Sequence, residues 1–409
     1  MTENQVKQSQ RLASIDRFRG IAVFCMIFFQ LLNHFGSFGV LTKISEHSIA
    51  DGIQIFQFTT IADLIAPMFM FAIALSYQLS FNKRVELYGK KAAVKHFVLR
   101  NLALIGIGGA FSGINLVIDI LNGSTIMFTD YFFLIALGVV ICASLLALIF
   151  QIKPLKKHKK LFKDLFLYSL SFLGAVVALL ASYETTRLVF DINFNKAGYW
   201  MVLQSIGMAG LIALPFMFLK TKYKAIATNA MFLAYFLLFR LTGLGAVIKA
   251  DTQGGVLGAF GWAFIIVMGT IFMEFYSKNK KQALLALLGF WALALTLYFT
   301  VGVSNLKTGV KPEPVYVLMT LCISASGFMI VNLFNFYSSK FAPLAWWGRH
   351  PLLMYVLEFF LIGSYTMLAP ENLVGSAPLW LAILTAAAFI TIFTFIAFAL
   401  SRKNKTVKL

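Results

Sequence analysis

The stretch "RLASIDRFRGIAVFCMIFFQLLNH", Arg11 to His34, runs a basic, polar lead-in straight into an apolar segment that closes on Asn33-His34. The apolar run is long and no small-residue cleavage site follows it. It is therefore expected to stay as a membrane span rather than leave as a signal peptide. Positive charge ahead of an apolar helix is what an inside-facing anchor requires. An acid set among Arg17 and Arg19, and a histidine at the far end, require a further reason.

The rest of the chain has the same character. Of its 409 residues 60% are hydrophobic and only 12% charged, with a mean hydropathy of +0.82. Soluble domains hold about 45–50% apolar and about 25% charged residues. The 43 phenylalanines suit lipid-facing helices. The apolar runs are far longer than the alternating segments of about 10 residues from which membrane barrels are built. The fold class is thus an all-α integral membrane protein.

At about 20 apolar residues per span, the runs divide into about twelve helices. They lie near 18–38, 58–81, 96–118, 129–151, 162–183, 198–219, 225–248, 256–276, 282–303, 315–337, 347–367 and 377–400. Eleven is the alternative count. Residues 1–409 read as a single polytopic domain, with 1–17 a cytoplasmic lead-in and 402–409 a cytoplasmic tail. The net charge of +19 does not indicate nucleic acid, because Lys and Arg concentrate in alternate short loops. With the N-terminus inside, about 28 of the 35 basic residues fall in inside segments. That is the positive-inside pattern, and it puts both termini in the cytoplasm. Attraction to anionic membrane lipids is a secondary consequence. Cys25, Cys142 and Cys322 all fall in apolar runs, as small hydrophobes do, so no disulfide framework is expected. "GIGGAFSG" (Gly106–Gly113) has small residues at helix-packing spacing.

Ionisable groups at membrane depth are costly and tend to face a cavity or one another. On the outer side lie Gln30, Asn33 and His34, then His47 and Asp51 in the first outer loop, Asp63, Asp130, Gln204 and Arg240, with Glu358 near mid-depth. On the inner side lie Asp16, Arg17, Arg19, His96, Arg100, Arg349 and His350. Arg240 and Asp63 suggest an intramembrane ion pair. Asp16 and Asp130 read equally as helix caps. The five histidines show no metal-ligand spacing, and no metal is expected.

Two segments carry a resemblance. "SIDRFRGIAVFCMIFFQ", with Arg11, Ser14, Ile15, Asp16, Phe18, Arg19, Gly20, Ile21 and Ala22, resembles the opening of the heparan-α-glucosaminide N-acetyltransferase-like family and of the wider transmembrane acyltransferase superfamily. "TTIADLIAPMFMFAIALS", through Thr60, Asp63, Leu64, Pro67, Phe69 and Phe71, is similar to that family's second span. "VLQSIGMAG" (Val202–Gly210) and "WWGRHPLLMYVLE" (Trp346–Glu358) are shorter matches in the same order. The resemblance implies acetyl-CoA, or another acyl-CoA, used from the cytosolic side. The acyl group passes to an amine or hydroxyl of an extracytoplasmic glycan or lipid-linked sugar. The family histidine falls best on His47, with His34 as a rival. The family's asparagine position falls on Gln30, with Asn33 one turn on.

That chemistry suits these residue types. Histidine can act as a base or carry the acyl group. The Asn33 or Gln30 amide can donate to an oxyanion, and Asp51 or Asp63 can orient an imidazole. Arg17, Arg19, Arg100 and Arg349, with His350, suit the phosphates of a coenzyme A. The expectation is an acyltransferase of a bacterial cytoplasmic membrane, alone or as a homo-oligomer. The alternative is a multi-spanning transporter or flippase. It lacks paired halves and matching broken helices here. Coenzyme A use requires the inner arginines to converge, whereas transport does not.

Overall fold

The computed structural model describes residues 3–34, 62–121, 131, 133–135, 137–141, 159–190, 200–301, 312–333, 342–370, 373–374 and 377–402. No strand occurs among them. Seven helices are long and apolar enough to cross a membrane, and two shorter apolar helices, Val202–Phe218 and Pro351–Thr366, accompany them. The helices are α1 (Glu3–His34), α2 (Ile65–Leu121, preceded by a 3-10 turn at Ala62–Leu64), α3 (Lys159–Phe190) and α4 (Val202–Ala213, ending in a 3-10 turn at Leu214–Phe218). They continue with α5 (Thr221–Leu241), α6 (Leu244–Ala250), α7 (Gly255–Lys278) and α8 (Lys280–Val301). The last four are α9 (Pro314–Leu333), α10 (Ala342–Arg349), α11 (Pro351–Leu368) and α12 (Leu379–Arg402).

Contacts gather the chain into two compact units. One is drawn from Met1–Ser76, Phe275–Gly309 and Leu318–Lys408, the other from Tyr77–Glu274 and Val310–Val317.

In the first unit α1 is the organising helix. Val23, Ile27 and Leu31 recur every four residues, which places them on one face. They are buried with Trp347, Met354, Ile362, Ala382 and Phe393. Phe18, Phe71 and Phe328 meet edge to face, with centroids 5.6–6.5 Å apart, the geometry that aromatic quadrupoles favour. α10 packs more extensively on α1 than on any other helix. The helix expected over 347–367 is in fact two. α10 stops at Arg349, His350 leaves helical geometry (φ −127°, ψ 43°), and α11 restarts on Pro351. Proline cannot donate to a helix running through it, but fits the first position of a new one. The lead-in before 18 also joins α1 as helix, because its Gln, Lys, Arg, Leu and Ala are good helix formers.

In the second unit α2 reverses at Gly89 (φ 79°, ψ 165°). Tyr77 then stacks edge-on against Phe97 at 4.9 Å, and Phe81 against Phe97 at 5.5 Å. The α2 arms on either side of Gly89 are antiparallel neighbours, as the two expected spans 58–81 and 96–118 require. A Cβ on Gly89 would meet nothing within 4 Å, so glycine is needed there for its positive φ and not for room. The Gly106–Gly113 run is instead about room. A Cβ on Gly106 would stand 2.4 Å from the Leu170 carbonyl oxygen of α3. One on Gly108 would stand 2.8 Å from Gln204 of α4. The small residues allow close helix contact, as their spacing suggests. The span expected over 225–248 ends at Leu241, and the chain turns through Thr242-Gly243 into α6.

Candidate functional site

The inner cluster forms in the first unit, around one carboxylate. Asp16 lies on α1 just before the apolar run, and Arg19, one turn on, brings Nη1 to 3.4 Å from Asp16 Oδ1. Arg349, the last residue of α10, brings Nε to 3.8 Å from Asp16 Oδ2. The other end of the Arg19 guanidinium donates through Nη2 to Ser76 Oγ at 2.7 Å, and Ser76 donates to the Ile73 carbonyl at 3.3 Å. Arg17, next to Asp16 in sequence, is buried. Two guanidinium groups, those of Arg19 and Arg349, thus meet at one carboxylate. Burial raises the Asp16 carboxyl above its ordinary range, and Arg19 and Arg349 oppose that rise.

Two glycines make the meeting of helices possible. A Cβ on Gly348 would lie 1.6 Å from the Asp16 carbonyl oxygen, and one on Gly20 1.8 Å from the Leu344 carbonyl oxygen. No side chain fits in either place, so the backbones of α1 and α10 touch. The glycine of "RFRG" and the glycine of "WWGRH" are two halves of one contact. Trp347 of α10 donates through Nε1 to Thr394 Oγ1 of α12 at 3.1 Å and lies against Phe24 of α1, ring centroids 5.6 Å apart. His350 is 1% exposed, and its Nε2 lies 3.4 Å from Ser401 Oγ on α12. Its Nδ1 has no hydrogen-bond partner among the described residues.

The structure therefore brings Arg17, Arg19, Arg349 and His350 into one unit, with Arg19 and Arg349 at Asp16. Arg100 belongs to the second unit. Of the outer group, Gln30 is exposed on α1, and Asn33 and His34 follow it by three and four residues in the last turn of the same helix. Asp63 is buried, 2% exposed, in the 3-10 turn that packs against α1. His47, Asp51 and Asp130 lie outside the described residues. Asp63 belongs to the first unit and Arg240 to the second. Arg240 Nη2 stands 3.1 Å from Glu313 Oε1, and both belong to the second unit.

Sequence reasoning missed several partners. Ser76 and Ser401 were hidden by their ordinary place among apolar residues. Glu274, the one acid within α7, was a visible signal. Lys224, 1% exposed, donates to its Oε1 at 2.5 Å and to Gln78 Oε1 at 2.8 Å. Gln204 has a structural duty. Its Oε1 accepts the Met201 N–H at 2.5 Å, capping α4, and its Nε2 lies 3.4 Å from Ser112 Oγ.

No protein-family model matches the chain, and no curated protein matches it.

Proposed function

We propose that the protein is a membrane-embedded acyltransferase. It takes an acyl group, in the first place acetyl, from acyl-CoA on the cytosolic side and passes it to a hydroxyl or amine of an extracytoplasmic glycan or envelope acceptor. The observation that carries this reading is the convergence of Arg19 and Arg349 on Asp16. These arginines come from two segments more than 300 residues apart in sequence, the two that resemble the acyltransferase superfamily at its start and near its end. With Arg17 and one carboxylate the group carries a net positive charge beside the cytosolic end of α1. Guanidinium groups are the donors best matched to phosphate oxygens, and coenzyme A presents several.

In this reading the outer side holds the acceptor chemistry. His47 or His34 takes the acceptor proton or carries the acyl group. Asn33 or Gln30 donates to the oxyanion, and Asp51 or Asp63 steadies the imidazolium. Twelve spans with both termini in the cytoplasm place the two groups on opposite faces. Arg17, Arg19, Arg100, Arg349 and His350 are the candidates to hold coenzyme A.

The test is calorimetric binding of acetyl-CoA to the purified full chain, beside coenzyme A itself and an Arg19→Ala/Arg349→Ala variant. Binding that the variant loses by at least tenfold supports the reading. No binding of acetyl-CoA or of longer acyl-CoAs overturns it. That outcome favours a transporter, for which the intramembrane pair Arg240–Glu313 is the supporting observation, since such pairs often mark ion or substrate paths.

A further inference from the structure

The second unit carries an apolar groove that the acyltransferase reading does not use. It is enclosed by α5, α6 and the start of α7, and holds about 170 Å³. Its walls include Ala234, Leu238, Phe239, Ile248, Leu257 and Phe260. Tyr235 also faces it, but the hydroxyl of that residue is engaged with the Pro312 carbonyl at 2.5 Å, which leaves the ring as hydrocarbon wall. The groove opens on the outward side of α5. Leu237, Leu238 and Leu241 there are 43%, 48% and 77% exposed, and Phe260 on α7 is 39% exposed. In a membrane that side faces lipid.

The rim is not apolar. Lys249, at the end of α6, holds Nζ 5.4 Å from the centroid of the Phe239 ring, and Phe239 is itself a wall of the groove. Arg240 follows it in sequence but is turned to Glu313. Lys249 thus sets a positive charge against a wall of the groove.

The shape of the groove chooses among occupants. An α-helix is about 10–12 Å across, too wide for a groove of about 170 Å³. The hydrocarbon walls suit a length of acyl chain, which gives up no hydrogen bond on entering. α6 is fixed where it is by a tight turn. Gln253, Gly254 and Gly255 all have positive φ (56°, 80° and 59°), and Trp262 Nε1 donates to the Gln253 carbonyl at 3.0 Å. The turn thus helps to fix the position of α6 at the groove.

We propose that this groove is a binding site for a phospholipid with an anionic headgroup, one acyl chain lying between α5 and α7 and the phosphate meeting Lys249. The proposal stands on the second unit alone and is independent of the acyl transfer reading.

The probe is dioleoyl-phosphatidylglycerol, with dioleoyl-phosphatidylcholine as comparison. Each is titrated onto the delipidated, detergent-solubilised full chain and counted by native mass spectrometry. The expected result is a saturable first phosphatidylglycerol, bound more tightly than phosphatidylcholine. Ala234→Trp, at an exposed wall position, fills the groove and abolishes that first adduct. Lys249→Gln weakens it about fivefold, the size expected for one basic residue at a membrane surface, and removes the preference over phosphatidylcholine. Leu257→Trp fills the same groove from α7, so two independent variants report on it, and circular dichroism confirms retained helix in each. Adducts unchanged by both tryptophan variants, or equal binding of the two lipids by the unaltered chain, overturn the proposal.

Discussion

At the scale of single residues, Asp16 is the informative one. Placed among arginines ahead of an apolar run it reads as a helix cap or as part of a site. The structure gives it to Arg19 and Arg349. An anion arriving at those guanidiniums competes with the carboxylate. Because burial raises the Asp16 carboxyl above its ordinary range, the acid becomes neutral at a higher pH than the usual value of about 4. As pH falls through that raised value, one negative charge leaves the cluster, and under the proposed function acetyl-CoA affinity is expected to rise. Above it the charge is present and affinity falls. Asp16→Asn fixes the neutral state, so binding becomes at least about fivefold tighter at pH 7 and loses this pH dependence, measured by calorimetry between pH 5 and pH 8. Weaker binding by Asp16→Asn at every pH would make the carboxylate a holder of the arginines and not a competitor. Arg349→Lys tests geometry separately. It keeps the charge and loses the planar fork, and is expected to lower acetyl-CoA affinity severalfold.

At the scale of elements, the contact of α1 with α10 depends on two glycines. A methyl group at Gly348 cannot be accommodated where a Cβ would stand 1.6 Å from the Asp16 carbonyl oxygen. Gly348→Ala therefore forces the helices apart and costs at least about 1–3 kcal/mol, the usual range for overpacking. Gly289 lies in mid-helix on α8 with nothing within 4 Å of an added Cβ. Gly289→Ala is expected to be neutral or to stabilise by up to about 1 kcal/mol, because alanine is the better helix former. Thermal unfolding of the two variants in the same detergent checks the contrast. The element scale is also where the sequence was partly legible. Gly106–Gly113 could be recognised as a packing seam from spacing alone. The break at His350 could have been found from Pro351 but was submerged in an apolar run. Gly20 and Gly348 each looked like an ordinary glycine, because their partner is far away in sequence.

At the scale of the whole molecule, charge and length set the arrangement in the bilayer. α5 has 21 residues and is about 32 Å long at about 1.5 Å per residue, which matches a hydrocarbon core of about 30 Å. Lys222 and Thr242 are exposed at its two ends. With the N-terminus inside, as the positive-inside pattern leads one to expect, Lys222 would be cytoplasmic and Thr242 outside. A cysteine at 242, in a chain whose own three cysteines are replaced, is therefore expected to react with a membrane-impermeant maleimide on intact cells. One at 222 is expected to react only after permeabilisation. The reverse pattern would invert the chain, and with it the assignment of the arginine cluster to the cytosolic side.

The sequence by itself determined the class of the fold. Apolar length, the scarcity of charge and the clustering of Lys and Arg in alternate loops are local sums, and local sums survive without knowledge of contacts. It also singled out Arg19 and Arg349 among the candidate residues. Only the tertiary structure decided who meets whom: Asp16 with both arginines, Arg240 with Glu313, Lys224 with Glu274, Gly20 and Gly348 across one helix contact. Pairings of this kind follow from which helices lie side by side. In a chain whose helices are nearly all apolar, that choice rests on small residues and a few buried polar groups distributed along the chain, whose partners no local pattern reveals.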